Sequence, residues 1–174
     1  AQQNAQGAAD AFSAALKLRP DSPEALRGLG QALQALGQLE RAAASYQKAI
    51  AINGNDVAAL NNLAWILADG QKNPDKALPL ATKALDLAPQ QPEVMDTLGW
   101  IHYLRGSYPE AEKLLVGASE KIPNNAVIQY HLGMTYSRMG KRGDAVSALR
   151  RAAQIDPKLA QTERISDRIR ELGG

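Results

Sequence analysis

The side chains that could do acid–base, nucleophilic or metal chemistry are few: two histidines, His102 and His131, a scatter of carboxylates, and no cysteine. An enzyme needs a nucleophile beside a base, a metal-ligand set or a phosphate-cradling loop, each held on a defined scaffold. None stands at a recognisable spacing. Without cysteine there is no thiolate ligand, no disulfide and no cysteine nucleophile, and either redox compartment is compatible with the chain. The histidines fall on separate helical stretches, with no acidic pair to complete a metal set. His102 reads as a tolerated polar packing position, and His131 as either packing or a pH-sensitive binding contact. Gly28, Gly30 and Gly37 lie within or after a helical stretch, not between a strand and a helix, so they form no nucleotide loop. Asp10, Asp86 and Glu120 read as solvated surface. No catalytic residue, metal or cofactor is expected.

Side chains able to hold another polypeptide are better represented, and the elements that must position them are helical. Of the 174 residues 45% are apolar and only 5% aromatic, with Ala and Leu abundant. That composition favours closely packed helices over sheets. A formal charge of +2 is too mild to demand a nucleic-acid or acidic-membrane partner. No apolar run approaches the roughly 20 residues of a membrane span. The start, Ala1-Gln2-Gln3-Asn4, has neither an initiator Met nor a signal-peptide core, which suggests an excised or processed piece.

Helix-ending residues recur at Pro20, Gly54, Pro89, Pro123 and Pro157, about 34 residues apart. Small residues precede each at fixed offsets: Ala8, Ala42, Ala77, Ala111 and Ala145, then Ala15, Ala49, Ala84, Ala118 and Ala152. Two such residues on a helix let neighbouring backbones approach to the close end of the usual 8 to 10 Å range. The preceding helix of each unit carries Leu29-Gly30, Leu63-Ala64, Leu98-Gly99 or Leu132-Gly133. Partners such as Leu26 and Leu33, or Leu60 and Leu67, lie three and four residues away and share one face. Gly37, Gly70, Gly106 and Gly140 mark the turns between paired helices.

This pattern resembles the tetratricopeptide repeat (TPR) family, W-x2-L-G-x2-Y, then A-x3-F, then P, over essentially the whole chain. Leu26, Leu29, Gly30, Leu33, Ala42, Tyr46, Ala49 and Gly54 match in one unit; Met95, Leu98, Gly99, Ala111, Leu115, Ala118 and Pro123 match in another. Departures are Gln129 for a large apolar residue, His102 for an aromatic one, Ala81 for a larger one, and one extra residue in the Gln71 to Asn73 turn. The resemblance implies an all-α fold, a right-handed superhelical solenoid of helix-turn-helix repeats. Its units are expected at 1–22 (second helix only), 23–56, 57–91, 92–125 and 126–157, followed by a capping helix over 158–174. In that helix Leu159, Ile165, Ile169 and Leu172 line one side, and Arg164, Asp167, Arg168 and Glu171 the other. Pro79, a turn after Pro74, predicts a local kink.

In a TPR stack the first helices line the concave side. The resemblance therefore places Arg27, Gln31, Gln34, Asn61, Asn62, Trp65, Asp69, Glu93, Asp96, Trp100, Tyr103, Tyr130, His131, Met134 and Arg138 along a groove. Trp65, Trp100 and Met134 hold one place in successive repeats, as an apolar stripe for a partner or as packing between repeats. Modules that clamp a C-terminal carboxylate use Lys, Asn and Arg on three successive first helices. Arg27, Gln31 and Asn62 loosely match that set, but Glu93 and Thr97 on the third helix do not. Nor is there the asparagine ladder of TPR glycosyltransferases.

The expected function is a non-catalytic scaffold that binds a protein or peptide, within a longer bacterial TPR protein. The alternatives are a self-assembling segment, packing through the N-terminal helix face around Phe12 and Leu16, or an accessory domain of a larger enzyme or exopolysaccharide export or secretion protein. Asn61 to Trp65 and Asp96 to Trp100 resemble runs in bacterial exopolysaccharide and envelope TPR proteins, which leans the compartment from cytoplasm toward periplasm. Nucleic acid is not expected, since the groove is aromatic and partly acidic; nor is membrane insertion. The basic residues gather late, at Lys141, Arg142, Arg150 and Arg151, and read as a solvated outer face.

Overall fold

The computed structural model describes residues 2–173; Ala1 and Gly174, which the sequence reading placed in the opening polar stretch and the final stop, lie outside the described residues. All regular structure among the described residues is helical. The helices are α1 (Gln2–Leu18), α2 (Pro23–Ala35), α3 (Leu39–Ile52), α4 (Val57–Trp65), α5 (Pro74–Leu87), α6 (Pro92–Leu104), α7 (Tyr108–Lys121), α8 (Ala126–Arg138), α9 (Arg142–Ile155), α10 (Pro157–Thr162) and α11 (Ile165–Glu171). The chain divides into two compact units, Ala1–Pro89 and Gln90–Gly174. Hairpins α2/α3 and α4/α5 belong to the first, α6/α7 and α8/α9 to the second.

Side-chain caps start several of these helices. Ser22 accepts from the amide of Ala25 ahead of Pro23 at the first helical position, and Asp56 accepts from Ala59, Asn73 from Lys76, and Asn125 from Val127 and Ile128. Each cap satisfies an amide that the first turn leaves without a helical partner, typically stabilising the helix by about 1 kcal/mol.

Within a hairpin, one small residue of the first helix receives one large residue of the second. A methyl group added to Gly30 would lie 2.6 Å from the Tyr46 ring; at Gly99 it would lie 2.8 Å from Leu115, and at Gly133 2.8 Å from Leu149. The α4/α5 hairpin holds Ala64 and Ala81 at these two places, both fully buried. The departure at Ala81 is thus matched by one extra methyl on the facing helix, as a close-packed interior requires. Gln129, the polar replacement of a large apolar side chain, is buried but satisfied: its amide donates to Ser119 Oγ (2.9 Å) and to the Pro123 carbonyl (3.1 Å).

Two local features differ from the sequence reading. The extra residue of the second hairpin is absorbed before the turn, where α4 widens into a π-helical turn over Ile66–Gly70 and the Gln71 amide reaches back to the Ile66 carbonyl. An inserted residue in a helix is commonly accommodated this way. Lys72 (φ 53°) then takes the left-handed conformation that Gly37, Gly106 and Gly140 supply in the other hairpins. The C-terminal segment is two short helices rather than one, broken at Glu163 and at Arg164, which has φ 52°. Leu159 and Ile165 would sit roughly 120° apart around a continuous helix; the break lets both join Ile169 and Leu172 in one cluster. At the other end, Gln2 to Gln6 form the first turns of α1, whose Phe12 ring covers Gly28 of α2. Pro79 sits inside α5 without ending it.

Candidate functional site

Successive first helices present equivalent side chains to one another, and the two units fill those places differently. In the first unit α2 supplies Gln31 and Gln34, and α4 supplies Asn62 and Trp65. With Ala35 and Leu39 they line a cleft of about 480 Å³. Trp65 is half-buried, one side of the indole packed on the core around Leu33, Leu63 and Ile66. Below the amides lies Tyr46, donated by the second helix: its hydroxyl donates to Gln34 Oε1 (3.0 Å) and accepts from Asn62 Nδ2 (3.2 Å). Burial pushes the Tyr46 phenol up to about 12, with the Asn62 hydrogen bond opposing that shift. The hydroxyl therefore stays protonated at ordinary pH and holds both amides in fixed orientations.

Arg27 is committed elsewhere. It pairs with Asp56 at 2.7 Å, and the same carboxylate caps α4, so the guanidinium ties α2 to the start of α4. Gln31 is exposed, and Asn61 is half-buried with its Oδ1 atom buried and without a hydrogen-bond partner among the described residues. Asp69 lies in the π-helical turn, 3.5 Å from Lys72.

In the second unit the corresponding places hold rings. Trp100 is 8% exposed, stacked between Tyr103 (4.5 Å between centroids, 9° between planes) and His131 (4.1 Å, 15°), with Tyr130 tilted beside it at 6.2 Å. His131 Nδ1 is 2.8 Å from Asp96 Oδ1. The Tyr130 hydroxyl donates to Glu163 at 2.7 Å, and Arg168 lies over its ring, so the C-terminal helices close this end. Desolvation first, then the hydrogen bond to Glu163, raises the Tyr130 phenol beyond the ordinary tyrosine range. Met134 packs into the same cluster, while Glu93 and Arg138 are exposed at the two ends of their helices. Of the two readings given for the tryptophans, Trp100 follows packing between repeats; Trp65 keeps an open side. The part of the apolar stripe formed by Trp100 is therefore enclosed in this unit, with Tyr103 and His131 stacked on the indole.

His102 is half-buried, and desolvation lowers its affinity for a proton against a smaller opposing pull from Glu110. Among the described residues no three His, Asp or Glu side chains gather as a metal set, and no helix is long and apolar enough to cross a membrane. Sequence reasoning treated Tyr46 only as a repeat residue and Asp56 not at all. Tyr46 stands where the other three complete hairpins have Leu or Ala, and that difference was the available signal.

Family patterns described as tetratricopeptide repeat match residues 1–57 and 35–92, 70–132 and 126–159. TPR repeat-containing protein PA4667 of Pseudomonas aeruginosa is 37% identical over 84 residues, 48% of this chain, and the match spans only 14% of that protein's length. Among solved structures, PilW, a type IV pilus biogenesis factor, superposes with a TM-score of 0.77 at 20% identity over 98% of this chain and 83% of that one. YrrB, described as a TPR protein with an unusual peptide-binding site, gives 0.68 at 23% identity over 90% and 80%. Arrays of this kind serve in general as protein–protein interaction scaffolds and are in general non-catalytic. With hairpins whose small and large residues interlock at the family's positions, and family patterns covering more than half its length, the chain belongs to the tetratricopeptide repeat family.

Proposed function

We propose that this chain holds a peptide or protein segment on the first-helix side of its first unit, with Trp65 as apolar anchor and Gln31, Gln34 and Asn62 as the polar rim. The observation that carries the reading is the open cleft beside the partly exposed Trp65 indole, with the Gln34 and Asn62 amides held by the Tyr46 hydroxyl. An indole gives a large contact area with few rotatable bonds, and neutral amides pair with a peptide backbone without preferring one charge. The arrangement favours an extended, uncharged stretch over a terminal carboxylate, since Arg27 is engaged by Asp56. A setting in a longer bacterial protein, leaning to the envelope, belongs to the same reading and draws support from the Pseudomonas relative and the pilus-factor likeness.

The test is selection of binders from a displayed random-peptide library, followed by titration of the selected peptides on wild type and on Trp65→Ala. Loss of about tenfold or more in affinity with unchanged helicity is expected; equal affinity for the variant would sink the assignment. Trp100 is left intact because its removal costs stability.

Self-association is the second reading. Leu18 is 86% exposed at the end of α1, and a separate 290 Å³ cleft is lined by Leu16, Pro20, Leu26 and Leu29. Light scattering that shows one monomeric mass at all concentrations removes it.

A further inference from the structure

The second unit carries a recess on the side of its last full hairpin that the groove reading leaves unused. Gly143, Ser147, Arg150, Arg151 and Gln154 line it from α9, and Asn124 from the turn between α7 and α8; its volume is about 640 Å³. The α9 residues recur at offsets of three and four and so share one outward face, opposite the buried Ala145, Leu149 and Ala152. Gly143 and Ser147 leave the floor low: a methyl group added at Gly143 would meet nothing within 4 Å. Two arginines stand over this floor. Arg151 donates to Asn124 Oδ1 at 3.3 Å, which orients it, and Arg150 has no carboxylate partner among the described residues.

No carboxylate lines the recess. Asp156, next in the chain, is engaged in capping α10 through the amides of Lys158 and Leu159. Lys141, which could have joined the cluster, is paired with Glu112. The two guanidinium groups thus form a local positive site whose neutralisation the chain itself does not supply. Its other lining is suited to a polypeptide: Asn124, Ser147 and Gln154 offer neutral hydrogen-bonding groups, while Val146 and the partly exposed Ile155 offer an aliphatic strip.

The geometry points to a docking surface for an acidic peptide segment that carries carboxylates for Arg150 and Arg151 and an aliphatic side chain for Val146 and Ile155. Guanidinium groups bind carboxylates through paired, charge-assisted hydrogen bonds, which makes arginine the better choice at such a surface. Single-stranded nucleic acid fits less well, because no aromatic ring lines the recess to stack a base. A membrane surface fits less well too, since the apolar lining is two aliphatic side chains, Val146 and Ile155, and not a wedge of large side chains.

The test uses the whole chain and fluorescence anisotropy with a labelled, end-blocked peptide of alternating Glu and Leu. Its Lys–Leu counterpart, a labelled oligouridine and phosphatidylserine vesicles serve as competing probes. Two variants at exposed positions separate charge from shape: Arg150→Glu with Arg151→Glu, and Ser147→Trp, which fills the recess. The Glu–Leu peptide is expected to bind wild type at low salt, to weaken about tenfold or more in both variants, and to ignore Trp65→Ala. No binding of that peptide overturns the proposal, and so does tighter retention of oligouridine or vesicles that the arginine variant abolishes. Weakening by the arginine variant alone, with Ser147→Trp silent, reduces the effect to diffuse charge attraction and also overturns it. Circular dichroism confirms that each variant keeps its helices.

Discussion

The clefts between α2 and α4 and between α6 and α8 are built from the same four repeat positions, yet one is open and the other is filled. Gln31, Gln34, Asn62 and Trp65 occupy them in the first unit; Trp100, Tyr103, His131 and Met134 occupy them in the second. The backbone arrangement is repeated, so the difference lies in the side chains. Amides are drawn to water and to a hydrogen-bond partner, here the Tyr46 hydroxyl, and leave the indole beside them partly exposed. Rings at neighbouring positions gain about 0.5–1.5 kcal/mol per stacked pair beyond their buried area, and so close on one another. A repeat protein can thus leave equivalent positions open in one unit and close them for cohesion in the next.

Truncating the two tryptophans separately breaks this comparison most directly. Trp100→Ala removes a buried ring between two others and is expected to lower the unfolding free energy by about 3–5 kcal/mol. Trp65→Ala is expected to cost roughly half that or less. Urea unfolding of both variants checks it, and equal losses would mean that the first cleft is as cohesive as the second.

Next in size is the small residue inside each hairpin. Gly133→Ala pushes a methyl group to 2.8 Å from Leu149 Cγ and 3.2 Å from the Leu149 amide nitrogen, which the helix cannot move aside. A loss of about 1–3 kcal/mol is expected despite the better helix propensity of alanine. The converse change, Ala64→Gly, should cost about 1 kcal/mol. A stabilising Gly133→Ala, read from the melting temperature, would show that the interlock is looser than its geometry.

The smallest effect concerns the floor of the open cleft. The Tyr46 phenol is raised from the ordinary 10.0 to about 12 in the folded chain. Below pH 10 both states hold the proton; above it the unfolded chain releases the proton while the folded chain keeps it. Stability from this group is therefore lost as pH rises through about 12. Tyr46→Phe should remove that part of the alkaline sensitivity and cost about 1 kcal/mol at neutral pH through its two hydrogen bonds. Urea midpoints measured against pH in both proteins give the answer; unchanged alkaline slopes would detach Tyr46 from the titration.

Much of the fold was legible from residue spacing alone. Helix stops, paired alanines and the Leu-Gly positions each act within one helix or one hairpin, and the three- and four-residue offsets that bury a face are fixed by helix geometry. The break at Arg164 and the π-helical turn were less legible. The first depends on where Leu159 and Ile165 must converge, the second on which turn of α4 absorbs an inserted residue. The candidate site was legible only as a set of residues on the first helices of the hairpins, with Trp65 and Trp100 indistinguishable.

By itself, then, the sequence determined a series of helical hairpins with small residues at the helix contacts and glycines at most of the turns. Tertiary structure alone decided that Arg27 is committed to Asp56, that Tyr46 braces Gln34 and Asn62, and that Trp100 is enclosed while Trp65 stays open. The reason is physical. A helical face follows from neighbours three and four residues away, whereas each of these outcomes depends on partners on another helix, whose distance and angle no local periodicity encodes.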